Sequence, residues 1–209
     1  MPDDAPTLER WRGTWRSLGV AAADDAAFEE MMRRYAEPQR AYHTQRHLAE
    51  CFAHWDAVRA DAARPGEVEL ALWYHDAVYD PRRGDNEERS AALATAAMQR
   101  AGLDPDARER VHGLVLATRH AEGTLEGDAA LLADVDLAIL GAAPARFDEY
   151  EREVRQEYAW VPMPIFRRKR RAVLEAFLAR PRLYATEHFR RALEPQARAN
   201  LARSVAALG

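Results

Sequence analysis

Cysteine is almost missing from this 209-residue chain. Cys51 is the only one, so no disulfide can form within the chain. A reducing, cytoplasmic setting is the expectation. No apolar run approaches the roughly 20 residues that span a bilayer. The first residues, "MPDDAPTLER", carry neither a basic leader nor an apolar stretch, so neither a signal peptide nor a membrane partner is expected. The net charge of -4 gives no general attraction to nucleic acid or to an anionic surface. Strand patterns are nearly absent and no glycine-rich phosphate loop occurs, which argues against a β-barrel and against α/β nucleotide-binding folds. Lysine is reduced to Lys169, and the other basic residues are arginine. Beside the abundant alanine, this reads as genomic composition rather than chemistry.

What remains is helix. Alanine, leucine, glutamate and arginine dominate and favour helical backbone. "TLERWRGTWRSLG" sets Leu8, Trp11 and Trp15 at helical spacing and stops at Gly19. "QRHLAECFAHWDAVRADAA" turns Leu48, Phe52 and Trp55 one way. "PGEVELALWYHDAVYD" reads as one helix broken at Pro81. "DNEERSAALATAAMQRAG" opens on a capping box, Asp85 with Glu88, and ends at Gly102. "DPDARERVHGLVLATRHAEG" opens on Asp104 with Pro105 at the first helical position and runs toward Gly123. "DAALLADVDLAILG" ends at Gly141, and Pro144 starts the next segment. Tyr158 and Trp160 in "EYAW" read as core. The expectation is an all-α, single-domain helical bundle covering residues 1–209, with helical extensions at both ends.

Several apolar stripes carry polar residues that do not belong there. Val68, Ala71 and Leu72 mark a core-facing stripe that continues onto His75 and Asp76. Leu132, Val135, Ile139 and Leu140 mark another, with Asp136 inside it and Asp134 at its edge. His43 and His47 lie four apart, followed by Cys51. Burying a carboxylate is costly unless something pairs with it. A divalent cation would neutralise the carboxylates and accept the imidazole lone pairs.

The order His47, His75-Asp76, Asp136 resembles the H…HD…D signature of the HD superfamily of metal-dependent phosphohydrolases. "RAYHTQRH", "WYHDAVYD", "DNEERSA", "ATRHAEG" and "ADVDLAILGA" are similar to the ordered motifs of a bacterial group of predicted HD-superfamily phosphohydrolases. "VRQEY" and "EPQARANL" in the tail are similar to it too. The resemblance covers most of the chain and implies an all-α fold holding an ion between helices.

It implies His47, His75, Asp76 and Asp136 as metal ligands. His43 is then a candidate for substrate contact, and Asp134 for orienting a histidine. His120 and Glu87 lie where related proteins approach a second metal or the substrate phosphate, and both are candidate catalytic residues beside Asp76. Arginine suits phosphate through its planar donor fork, which makes Arg40 and Arg119 candidate substrate-binding residues. Most of "RRKRR", Arg167 to Arg171, reads as a solvated face. The mixed nitrogen and oxygen donors suit Mn, Fe, Co, Ni or Zn, as one ion or two. The expected reaction is hydrolysis of a small phosphorylated substrate, a nucleotide among the candidates, with Asp76 taking a proton from the attacking water. Nucleic acid is not the expected partner, and the sequence leaves the oligomeric state open. Two other readings stay open: an HD module that binds metal or nucleotide without turnover, and a di-iron HD oxygenase.

Overall fold

The computed structural model describes residues 6–120 and 124–209. Gly123, expected near the end of a helix, and the first five residues lie outside the described residues. The protein is all-α, with ten α-helices and no strand among the described residues. None of the helices is long and apolar enough to cross a membrane. The chain divides into two compact units, one ending at Val135 and one beginning at Asp136, so the division falls at the last residue of a helix.

The first unit holds α1 (Leu8–Ser17), α2 (Asp25–Arg34), α3 (Gln45–Val58), α4 (Pro65–Tyr74), α5 (Asn86–Arg100), α6 (Pro105–Ala117) and α7 (Gly127–Asp136). Its axis is α4. Residues Gly66 to Tyr74 are all buried, and α1, α3, α5 and α6 pack around them. A helix buried on every side needs apolar residues on every side, and "GEVELALWY" supplies them apart from its two glutamates. Trp73 is the centre of the aromatic core, with Trp11 edge-on at 5.3 Å and Phe52 tilted at 4.7 Å between ring centroids. Gly66 brings α1 close: a Cβ there would stand 2.4 Å from Ser17 Oγ.

Both glutamates of α4 are answered. The Arg110 guanidinium donates two parallel hydrogen bonds to Glu67, at 2.8 and 2.7 Å, joining α6 to α4. Glu69 is 2% exposed. Its carboxylate accepts from Trp55 Nε1 (3.1 Å) and the Thr14 hydroxyl (2.9 Å), and pairs with Arg59 (2.6 Å) and Arg10 (3.2 Å). Four donors around one buried carboxylate compensate the water it lost. Asp128 of α7 accepts from the backbone N–H groups of Ala63 and Arg64, at 2.8 and 2.9 Å, fixing the entry to α4.

The punctuation is mostly as the sequence implies. Gly19 and Gly102 adopt the left-handed conformation past α1 and α5. Asp104 accepts from the amides of Asp106 and Ala107 with Pro105 behind it. α3 begins at Gln45 behind Thr44, where "QRHL" opens the expected helix, and His43 lies in the preceding loop. Two boundaries differ. α4 ends at Tyr74, so His75 and Asp76 occupy a turn and not a continuing helix. Asp85 precedes α5 but its side chain makes no capping bond. Arg83 takes that carboxylate instead, at 2.7 and 2.6 Å.

The second unit holds a 3-10 helix (Leu137–Gly141), then α8 (Pro144–Glu157), α9 (Met163–Ala179) and α10 (Glu187–Leu208). α10 packs on the 3-10 helix and on α9. Asn200 donates to the carbonyls of Leu140 (2.9 Å) and Ala142 (2.8 Å), and the Tyr184 hydroxyl donates to that of Leu137 (3.2 Å). Glu151 accepts from Arg170 and from the Ser204 hydroxyl. Arg167, Arg168 and Lys169 face solvent. Trp160 is 51% exposed, where the sequence reads it as core: it falls in the turn between α8 and α9 and not on a helix face.

Candidate metal centre

Thr44 starts α3 by accepting the Arg46 amide, and this sets the phase of the helix. His47 then falls in the first turn and Cys51 one turn later, on the buried face shared with Leu48, Phe52 and Trp55. Residues four apart on a helix share a face.

The end of α4 shapes the other half of the site. The last carbonyls of a helix have no partner within it, and here two side chains and one later amide supply them. His75 Nδ1 lies 2.7 Å from the Leu72 carbonyl and donates to it. The Tyr35 hydroxyl donates to the Trp73 carbonyl at 3.2 Å, and the Ala77 amide to that of Tyr74 at 2.9 Å. Farther on, the Val78 amide donates to Ser90 Oγ at 3.0 Å. Asn86 bonds both the N–H and the carbonyl of Asp80, at 3.1 and 3.0 Å. The segment after the helix is thereby tied to α5.

Three donor atoms converge at this point. His47 Nε2 lies 3.1 Å from His75 Nε2. Asp76 Oδ2 lies 3.0 Å from His75 Nε2 and 3.4 Å from His47 Nε2. The carboxylate of Asp136, at the end of α7, joins His47, Cys51 and His75 in a group whose donor atoms all lie within 4.8 Å of one another. His47 and His75 are 2% and 1% exposed.

The arrangement suits a cation. Two donors each about 2.1 Å from one ion, at right angles, stand about 3 Å apart. The triangle of His47, His75 and Asp76 donors has edges of that length. The bond to Leu72 keeps the proton of His75 on Nδ1, so Nε2 presents its lone pair to the shared point. Burial pushes the Asp76 carboxyl up. When the imidazoles are protonated, the charge of His75 and His43 and hydrogen bonds from His47 and His75 outweigh it and hold Asp76 well below the usual carboxylate range; the neutral His75 that would face an ion gives no such bond. Cys51 Sγ is 3.7 Å from both ring nitrogens of His47. Equal distances place the thiol on the bisector of the two nitrogens, off the lone-pair direction of Nε2. It therefore flanks the imidazole.

No family model, curated protein or solved structure matches the chain. The chemistry is read from the donors themselves.

The remaining candidates distribute around the centre. His43 stacks on Tyr79, with ring centroids 4.1 Å apart, and its ring lies 5.9 Å from that of His47. Asp134 is buried in α7 and is not a member of the donor group, whereas Asp136 is. His120 also falls outside that group. It sits just past α6 with φ of 51°, a left-handed conformation uncommon for a residue with a side chain. Arg119, expected on a phosphate, forms ion pairs with Glu88 and, at 3.9 Å, with Glu87, and this occupies both the arginine and the proposed catalytic glutamate. Arg40, also expected on a phosphate, is turned inward: its side chain is fully buried and its donors meet backbone carbonyls and Glu37. Cys51 is the member of the group that the residue assignments left out, and its spacing of four from His47 was the available signal.

Proposed function

We propose that this protein is a metal-dependent phosphohydrolase of the HD type. The observation that supports this best is the triangle of His47 Nε2, His75 Nε2 and Asp76 Oδ2, with edges of 3.1, 3.0 and 3.4 Å and one imidazole tautomer fixed by the Leu72 carbonyl. These three residues and Asp136 would hold one divalent ion, from among Mn, Fe, Co, Ni and Zn. When bound, such an ion acidifies a water and draws charge from a phosphoryl oxygen.

The chain's own residues supply the rest. Asp76, beside the point shared by the His47 and His75 donors, would accept the proton of the attacking water. His43, held against Tyr79 with its ring 5.9 Å from that of His47, would meet a phosphoryl oxygen. Arg119 would join it by exchanging Glu87 and Glu88 for the substrate's phosphate. The substrate is a small phosphoester, with nucleotides the first class to try.

The test is to measure bound metal in the purified protein. Phosphate release from an aryl phosphate and a nucleotide panel is then followed with each metal supplied. Metal uptake with turnover, both lost in Asp76→Ala, is the expected result. A protein that takes up no metal overturns the proposal. Uptake without turnover across the panel reduces it to a binding module, and a coupled di-iron signal moves it to an oxygenase.

A further inference from the structure

The geometry points to Arg40 as a positioning residue that sets the distance between the two chain segments carrying the metal donors. This inference rests on the metal reading above and concerns how the protein holds that site open. His47 belongs to α3 and the loop that enters it, and His75 and Asp76 to the turn after α4. The Arg40 guanidinium is bonded to both. Nη1 donates to the His43 carbonyl at 2.9 Å and to the Asp76 carbonyl at 2.8 Å. Nη2 donates to the Ala77 carbonyl at 3.3 Å, and Nε to Glu37 at 3.2 Å.

Nothing in this set is suited to a substrate. The Arg40 side chain is 0% exposed. Its charge lies between the rings of Tyr35 and Tyr79, at 5.2 and 5.4 Å from their centroids. The second of those rings carries His43 on stacking contact. Carbonyls just past a helix end favour a cation, but only a planar fork bonds several of them in fixed directions. A lysine ammonium also has three donors, but they are not set in a plane and it cannot hold these carbonyls and Glu37 together in the same fixed directions. One side chain therefore fixes the backbone of Asp76, the backbone of His43 and the ring beside it. If the guanidinium is removed, Asp76 can draw back while both imidazoles stay in place, and the donor triangle opens on one side.

Co²⁺ reads this directly, because its visible absorption reports coordination geometry and its titration reports affinity, both independent of turnover. Wild-type protein, Arg40→Lys and Glu37→Gln are compared for melting temperature, Co²⁺ affinity and absorption spectrum. Glu37 is half-exposed and its substitution loosens only the Nε end, so that variant folds even where Arg40→Lys does not. Expected is a loss of affinity of about 10- to 100-fold for Arg40→Lys, with an altered spectrum. A smaller loss in the same direction is expected for Glu37→Gln. Folded Arg40→Lys with wild-type affinity and spectrum overturns the inference, whatever its melting temperature. So does an unfolded Arg40→Lys beside a Glu37→Gln that binds as wild type does. Wild-type protein that takes up no Co²⁺ overturns the metal reading itself, and is told apart by that.

Discussion

His75 gives its Nδ1 proton to the carbonyl of Leu72, three residues earlier, at 2.7 Å. One bond thus closes a helix and aims the opposite nitrogen at His47 and Asp76. Replacing His75 with Ala leaves the Leu72 carbonyl without its donor and removes a donor from the triangle. We expect Co²⁺ uptake to fall below detection in His75→Ala, with helical content by circular dichroism close to wild type. Unchanged uptake would remove His75 from the site.

Metal should also stabilise the fold. The donors come together only in the native state, so an ion bound there raises stability by mass action, about 2.7 kcal/mol at a hundredfold excess over Kd. The melting temperature is expected to rise on adding Zn²⁺, Co²⁺ or Mn²⁺ and to fall back with a chelator. The rise should vanish in Asp76→Ala. A melting temperature indifferent to all three ions contradicts the site.

Gly141 lets the 3-10 helix and α10 touch. A Cβ there would stand 2.5 Å from Leu193 Cβ and 2.9 Å from the Leu193 carbonyl, and backbone cannot swing aside as a side-chain tip can. Gly141→Ala is expected to destabilise the protein by about 1 to 3 kcal/mol, measured as a lower urea midpoint at unchanged slope. A wild-type midpoint would mean that α10 shifts freely.

Asp104 offers a pH signature. Bonds from the amides of Asp106 and Ala107 hold its carboxyl below the ordinary carboxylate value. A depressed carboxylate stabilises the native state fully above its unfolded value, about 3.9, and loses that contribution as pH falls through the native value. Asp104→Asn keeps an oxygen at the cap and cannot titrate. Its stability relative to wild type is expected to improve as pH drops from about 6 to 3, followed by denaturant melts at each pH. A difference constant over that range would show that Asp104 is not linked to folding.

The helices were legible because local residues set them: Pro105 and Pro144 start helices, and Gly19 and Gly102 end them. His47, His75 and Asp136 were legible as polar residues interrupting apolar stripes, and the structure draws them into one group. The end of α4 was not legible. Its carbonyls are met by Tyr35 and its turn by Arg40, 38 and 36 residues away, and no local signal announces that. The pattern "DNEE" satisfies the capping-box rule, yet Arg83 competes for Asp85 and wins with two charged bonds. A guanidinium prefers oxygen acceptors, and at Arg40 backbone carbonyls satisfy that preference as phosphate would.

The buried carboxylate of Glu69 answers to Arg10 and Thr14 of α1 as well as to Trp55 and Arg59. The first helix is therefore an electrostatic plug and not a detachable ornament. A shortened chain beginning after Gly19 would leave that buried anion with two of its four partners, beside Trp73, whose indole N–H also loses Thr14. Any attempt to pare this protein to a smaller folded kernel has to keep α1 or neutralise position 69 first.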